Sequence, residues 1–200
     1  MKDTMLNNFE NRIVMLEYIN SKFTNGVGAE IGVAAGHFSK QILATWTNCR
    51  EFYCIDLWEQ QQTGYVDGCN LSNEKQNATY QQILLDFAEY PHVKIIKNWS
   101  HEAVKNFSDE YFDFIYIDAN HSYKASLEDM KMWYPKIKKG GILAGHDYFD
   151  GPEESYGVKK AADEFAALAN TQLYHTTSEL SPKNALWPES WEGISWIISK

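Results

Sequence analysis

A chain of 200 residues has room for one well-packed domain and would be cramped as two. An apolar share of 44% with an aromatic share of 14% excludes disordered and fibrous classes. The formal charge of −9 argues against a general binder of nucleic acid or anionic membrane, since both need a basic face, while leaving room for a local basic pocket.

Cys49, Cys54 and Cys69 form neither an even set nor a C-x-x-C pair, so a reducing compartment is expected and a disulfide framework is not. With no signal-peptide core and no apolar run of about 18 residues, the expectation is a cytoplasmic protein that does not engage membranes.

Within the first 25 residues, Phe9, Ile13, Leu16 and Ile19 recur near helical spacing and predict a helix over 5–23, closed by Asn25-Gly26. Val27-Gly28 opens a strand. The stretch Gly28-Ala29-Glu30-Ile31-Gly32-Val33-Ala34-Ala35-Gly36-His37-Phe38-Ser39 reads as a strand end, a glycine-rich turn and the first turn of a helix that runs to Trp46. Gly32 and Gly36 lack a Cβ where the backbone bends and a ligand approaches. Glu30 at the mouth of that turn disfavours a pyrophosphate and suits an ammonium or sulfonium.

Phe52–Asp56 is a second buried strand ending in an acid, with Cys54 as a small hydrophobe inside it. From Glu59 to about Asn77 the chain is polar and rich in Gln and Asn, with Gly64 and Gly68. This predicts a substrate or lid loop over about 57–78, then a helix ending near Tyr90-Pro91. Val93–Lys97 is a third strand, and Ser100 is expected to cap a short helix with Glu102 in its first turn. Phe112–Asp118 is a fourth strand and Tyr123–Trp133 a helix, with Lys136, Lys138 and Lys139 complementing its carboxyl-end dipole. Gly140-Gly141 turns into a fifth strand, Ile142–Asp147. A helix over Tyr156–Ala169 and strands over 173–177 and 194–198 complete the chain.

Apolar strands alternating with helices predict an α/β fold whose parallel sheet is covered on both faces. Ligands of such sheets sit beyond the strands' carboxyl ends, where strand order reverses. Glu30, Asp56, the Asn98-Trp99-Ser100 step, Asp118 and Asp147 all fall at or just past a predicted strand end.

Together with Ile117-Asp118-Ala119-Asn120-His121-Ser122-Tyr123-Lys124 and Lys139-Gly140-Gly141-Ile142-Leu143-Ala144-Gly145-His146-Asp147, these residues resemble a class I S-adenosylmethionine-dependent methyltransferase. The likeness covers roughly residues 27–147. It is strongest to small bacterial metal-dependent O-methyltransferases of the antibiotic-tailoring type and more distant to catechol O-methyltransferase. The resemblance implies a Rossmann-like three-layer sandwich, with a seven-stranded, mostly parallel sheet in the order 3-2-1-4-5-7-6, the last strand antiparallel, and residues 1–200 as one domain.

By that resemblance Glu30 and Gly32 hold the methionine end of S-adenosylmethionine, with Glu30 near its ammonium. Asp56 accepts from both ribose hydroxyls, Trp99 and Ser100 border the adenine, and Gly36 and Asp118 complete the cofactor set. Ala34 departs from the pattern, since many relatives carry a third glycine there. Asp118 and Asp147 match two positions of a Mg²⁺ site. His146 stands where the tailoring enzymes have glutamate, and Tyr148 where the catechol enzymes have asparagine. Imidazole is a poor Mg²⁺ ligand, so Mg²⁺ on two carboxylates, another divalent cation, or no metal, with the two acids orienting substrate or capping turns, all stay open.

Methyl transfer from sulfonium to oxygen is an in-line displacement dominated by alignment, but the acceptor hydroxyl must lose a proton. His121 lies three residues beyond Asp118, the offset of the catechol enzymes' catalytic lysine. Its imidazole is expected to titrate near neutrality, with His146 as the rival base. The acceptor is a small molecule (a sugar, a polyketide or a phenol). Its pocket walls would come from the 59–77 loop, Tyr148-Phe149, Trp187 and Trp191, with Trp196 read as core.

A nicotinamide-dependent reductase would want a G-x-G-x-x-G turn that is absent and gives Asp118 and Asp147 no task. A non-catalytic sensor that keeps the fold and binds the cofactor is the reading from another class. A nucleic-acid methyltransferase is disfavoured by charge. The first helix could pack on its own sheet or on a second subunit, which leaves homo-oligomerisation open.

Overall fold

The structure is a computed structural model that describes residues 9–63, 65, 67–178 and 193–200. Its strands are β1 (Val27–Ile31), β2 (Glu51–Asp56), β3 (Val93–Lys97), β4 (Phe112–Ile117), β5 (Ile137–Gly145), β6 (Leu173–His175) and β7 (Trp196–Ser199). They form one sheet in the order β3-β2-β1-β4-β5-β7-β6. Neighbours from β3 to β5 run parallel, and β7 is antiparallel to both β5 and β6. This is the seven-stranded order that the resemblance implied.

The helices are α1 (Arg12–Lys22), α2 (His37–Thr45), α3 (Asn73–Asp86), α4 (Ser100–Ala103), α5 (Tyr123–Trp133), α6 (Glu153–Tyr156) and α7 (Val158–Leu168). Successive side chains of a strand point to opposite faces, and β4 shows the consequence. Phe114 and Tyr116 join one core with Met15, Leu16 and Ile19 of α1 and Ile42 of α2. Ile115 and Ile117 join the other with Met130 and Trp133 of α5 and Phe165 of α7. The first helix therefore packs on its own sheet. Among the described residues no helix is long and apolar enough to cross a membrane.

Several boundaries differ from those predicted, each for a local reason. Asn11 accepts from the amides of Ile13 (3.0 Å) and Val14 (3.2 Å), so α1 starts at Arg12; residues 5–8 lie outside the described set. Ser72 caps α3, which makes 73–78 helical and shortens the polar loop to 57–72. Gly140 (φ +78°) lies within β5, which begins at Ile137, and the β4–β5 register shifts nearby. The glycine pair is thus part of a bulged strand instead of a turn before it. Trp99, not Ser100, holds the N-cap of α4. Lys136 and Lys138 pair with Asp109 and Asp113, both at 2.8 Å, and not with the end of α5.

The backbone ladders run on past the strand ends. Gly32 N donates to Ile55 O at 2.9 Å, Asp118 N to Ile31 O at 2.7 Å, His146 N to Ile117 O at 3.1 Å, and Asn98 N to Asp56 O at 2.9 Å. These bonds align the polar strand ends along one edge of the sheet.

Candidate active site at the carboxyl ends of the strands

A cavity of about 830 Å³ opens along that edge, across the point between β1 and β4 where strand order reverses. It has the size of a site for a small ligand or cofactor. Its walls include Glu30, Gly32, Asp56, Trp99, Ser100, Asp118, His121 and His146, and the loop contributes Glu59, Gln61, Tyr65 and Cys69.

Gly32 (φ +88°) is required by a close crossing, since a Cβ there would sit 2.0 Å from the Asp118 carbonyl oxygen. Gly36 (φ +72°), expected at the ligand, does not line the cavity; its bare face meets Ile83 and Phe87. The turn is tied down by Asp56. Its Oδ2 accepts from Val33 N (2.7 Å) and Ala34 N (2.8 Å), and its Oδ1 accepts from Trp58 N (3.0 Å). A carboxylate offers about four acceptor sites. Three are occupied, which leaves about one for a further donor.

Glu30 is 2% exposed and accepts a short hydrogen bond from Ser39 Oγ. Burial dominates its environment and lifts its carboxyl to about 8, against the partial relief that Ser39 gives. At the far end, Ser100 Oγ donates to Asp129 and accepts from Trp133 Nε1 at 2.9 Å. The Ser100 hydroxyl is therefore already engaged, while its amide stays a candidate for a base edge. Asp129 is itself buried, and that burial raises it to about 6. Trp99 is 44% exposed and stands at the cavity wall.

Past β4 and β5 the chain gathers three acids and two imidazoles. His121 Nε2 lies 3.1 Å from Asp147 Oδ2 and 3.4 Å from Asp118 Oδ1, while its Nδ1 faces Asp67 Oδ2 at 3.1 Å. His146 Nδ1 is 3.2 Å from Asp147 Oδ1 and 3.9 Å from Asp118 Oδ2. Tyr156 stacks on His121, with centroids 5.4 Å apart, and its hydroxyl reaches Asp67 at 3.3 Å.

Burial works against charge on His121, but the hydrogen bonds it donates to Asp118 and Asp67 and the field of Asp147 outweigh it and raise the imidazole to about 10. The expectation that His121 titrates near neutrality is thus corrected: the carboxylates around it favour its protonated form, and a metal ion on Nε2 would have to displace that proton. His146 is likewise raised by Asp118 and Asp147 despite burial. Both histidines hold the Asp118 carboxyl below its usual range although burial pushes it up. Ligand atoms of Asp118, His121 and Asp147 lie within 4.8 Å of one another, a spacing suited to one cation, and His146, the imidazole expected there, faces the same two acids.

Of the expected aromatic walls, Trp196 is buried core, as read. Tyr148 and Phe149 do not line the cavity; Tyr148 bonds Asp163 at 2.7 Å and stacks on His175. Trp187 and Trp191 lie outside the described residues. Sequence reasoning missed Arg12, Asp67 and Asp129. Two of them carried a signal, because Arg12 and Asp129 occupy the apolar stripes of α1 and α5. Asp67 sits in a loop with no periodicity to mark it.

The description "methyltransferase domain" matches residues 29–148. An O-methyltransferase from Bacillus cereus, solved in complex with SAH, superposes with a TM-score of 0.65 at 12% identity, covering 94% of this chain and 80% of that one. A precorrin-6y C5,15-methyltransferase from Geobacter metallireducens gives 0.63 at 12%, covering 94% and 86%. The spermidine synthase of Thermotoga maritima gives 0.56 at 17%, covering 96% of this chain and 57% of that one. At these identities the likeness shows the fold alone. No curated protein has a significantly similar sequence.

Proposed function

This chain belongs to the methyltransferase domain family, and we propose that it transfers a methyl group from S-adenosylmethionine to a hydroxyl of a small molecule with the help of a divalent cation. The observation that carries the reading is the joining of two sites in one cavity. One wall offers a buried acid and an indole to a cationic amino-acid end and an adenosine, and the adjoining wall carries Asp118 and His121, with Asp147, outside the lining, 3.1 Å from His121.

The residues fit the cofactor. Buried Glu30 takes the ammonium, Asp56 one ribose hydroxyl, and the exposed face of Trp99 the adenine ring, with the Ser100 amide at the base edge. When bound, S-adenosylmethionine supplies an electrophilic methyl on sulfur. The chain's share of the work is then alignment and exclusion of water, which can account for most of a displacement's acceleration.

Asp118, His121 and Asp147 would hold the cation, and Asp67 on the far nitrogen of His121 is the outer partner that orients a ligating imidazole. Mixed carboxylate and imidazole donors suit Mn²⁺, Fe²⁺, Co²⁺ or Zn²⁺ better than Mg²⁺. Such an ion would supply Lewis acidity that lowers the pKa of an acceptor hydroxyl. With His121 held on the ion, we assign removal of the hydroxyl proton to His146, the other imidazole that lines the cavity. Buried free Cys49 and Cys54 support a reducing, cytoplasmic setting.

The test is release of S-adenosylhomocysteine in the presence of phenol, polyketide and sugar acceptors, with Mn²⁺ or Mg²⁺ added. Turnover that disappears in Asp118→Asn while cofactor binding persists supports the proposal. Intact binding with no turnover over the whole panel would instead favour the non-catalytic sensor.

A further inference from the structure

We propose that Trp58, which does not line the cavity, is a positioning residue for the ligand: its indole N–H braces the left-handed Ala34 and so holds the glycine turn in its binding shape. The inference rests on the reading of the cavity as an S-adenosylmethionine site.

Among the described residues, positive φ outside glycine occurs at Asn25, Glu110, Asp147 and Asn170, and at Ala34 (φ +45°) and Trp58 (φ +43°). Asn and Asp visit this region readily, alanine does so at a cost, and a bulky indole there is an outlier. Ala34 and Trp58 are bonded to each other and to one acid. Trp58 Nε1 donates to Ala34 O at 3.0 Å. Trp58 N donates to Asp56 Oδ1 at 3.0 Å, and Ala34 N to Asp56 Oδ2 at 2.8 Å. Trp58 is 1% exposed, and its ring packs on Tyr80 of α3 with centroids 5.1 Å apart.

Strain of this kind persists only where the surroundings over-determine it. Here the brace is what over-determines it, and the strained turn is the cavity wall: Gly32, Val33, Ala34, Ala35 and Asp56 all line it. Relaxation of Ala34 to negative φ would swing the chain on either side of it and draw the turn's amides off Asp56. A ligand that needs the turn then binds only the fraction of molecules that keep it, and its apparent affinity falls by that fraction. Trp58 thus acts on the ligand through Ala34, from the far side of the turn.

The test is calorimetric titration with S-adenosylhomocysteine of the unaltered chain, Trp58→Phe, Ala34→Gly and the double variant. Phenylalanine keeps an aromatic ring beside Tyr80 and removes the donor. One hydrogen bond corresponds to roughly 3- to 10-fold in an equilibrium constant, and Trp58→Phe should weaken binding by about that factor. Made in the Ala34→Gly background, the same change should cost less than about 2-fold, because glycine takes positive φ without a brace. The unaltered chain gives an independent arm. Saturating S-adenosylhomocysteine should slow hydrogen exchange of the Trp58 indole more than that of the Trp46 indole, which donates to Phe23 O at 2.9 Å and lines no part of the cavity.

Equal weakening by Trp58→Phe in both backgrounds overturns the brace, in favour of a purely structural tryptophan, and so does unchanged binding by Trp58→Phe. If Trp58→Phe does not fold, the exchange arm decides, and equal protection of the two indoles overturns the proposal. If the unaltered chain does not bind S-adenosylhomocysteine, the cofactor reading fails and the brace falls with it; every other outcome leaves that reading intact.

Discussion

Ala34 shows how a single position can carry strain for a ligand loop. It sits at φ +45°, a region that costs an L-residue about 1–2 kcal/mol, and holds that shape because its amide donates to Asp56 and its carbonyl accepts from Trp58 Nε1 at 3.0 Å. Ala34→Gly should remove the strain at an entropic cost of about 0.4–1 kcal/mol. The net expectation is a stability gain of up to about 1 kcal/mol in urea denaturation, and a loss would contradict the strain. Gly32→Ala should do the reverse by several kcal/mol, because the clash is with the Asp118 backbone and no side chain can move aside.

Glu30 titrates with a readable sign. Its folded pKa of about 8 stands above the ordinary 4.5, so the native chain keeps a proton that the unfolded chain gives up. Its contribution to stability is complete below about pH 4.5 and is lost as pH rises to about 8. Binding an ammonium requires the ionised form. S-adenosylhomocysteine affinity should therefore rise between pH 6 and 8, with proton release at pH 7 detectable as a dependence of the binding heat on buffer ionisation enthalpy. Glu30→Gln should abolish that release; persistence of the release in the variant would move the proton to another group.

At the scale of elements, α1 and the 57–72 loop both reach into the site. Buried Asn11 accepts two amides at the start of α1, immediately before Arg12. Asn11→Ala should cost about 1–2 kcal/mol of stability, read by urea denaturation. Asp67→Asn should leave the loop's backbone contacts in place and lower cation affinity by about 10-fold, read by titration with Mn²⁺ or Co²⁺. Unchanged affinity would remove Asp67 from the ion's surroundings.

The elements also show what the sequence could and could not convey. Strand ends were legible because a buried parallel strand is an uninterrupted apolar run, and Asp56, Asp118 and Asp147 each follow such a run. Gly140-Gly141 misled because a bulge and a turn use the same residue type for the same positive φ. The occupied acceptors of Asp56 and the carboxylate cage around His121 depend on loops meeting across long sequence separations, as with Asp67 and His121. No local pattern encodes them.

For the whole molecule, the sheet places acids and imidazoles along one edge, but that placement alone does not name a reaction. A spermidine synthase shares the fold with the methyltransferases. What separates the readings here is the chemistry of the cavity, namely a buried acid and base at one end, an exposed indole at the other, and a carboxylate–imidazole group past the ends of β4 and β5. The most direct measurement is calorimetric titration of the unaltered chain with S-adenosylmethionine and S-adenosylhomocysteine, with NAD in parallel. The account predicts one-site micromolar binding of both adenosyl ligands and none of NAD. Absence of binding by either adenosyl ligand between pH 6 and 9, with and without Mn²⁺, would contradict it.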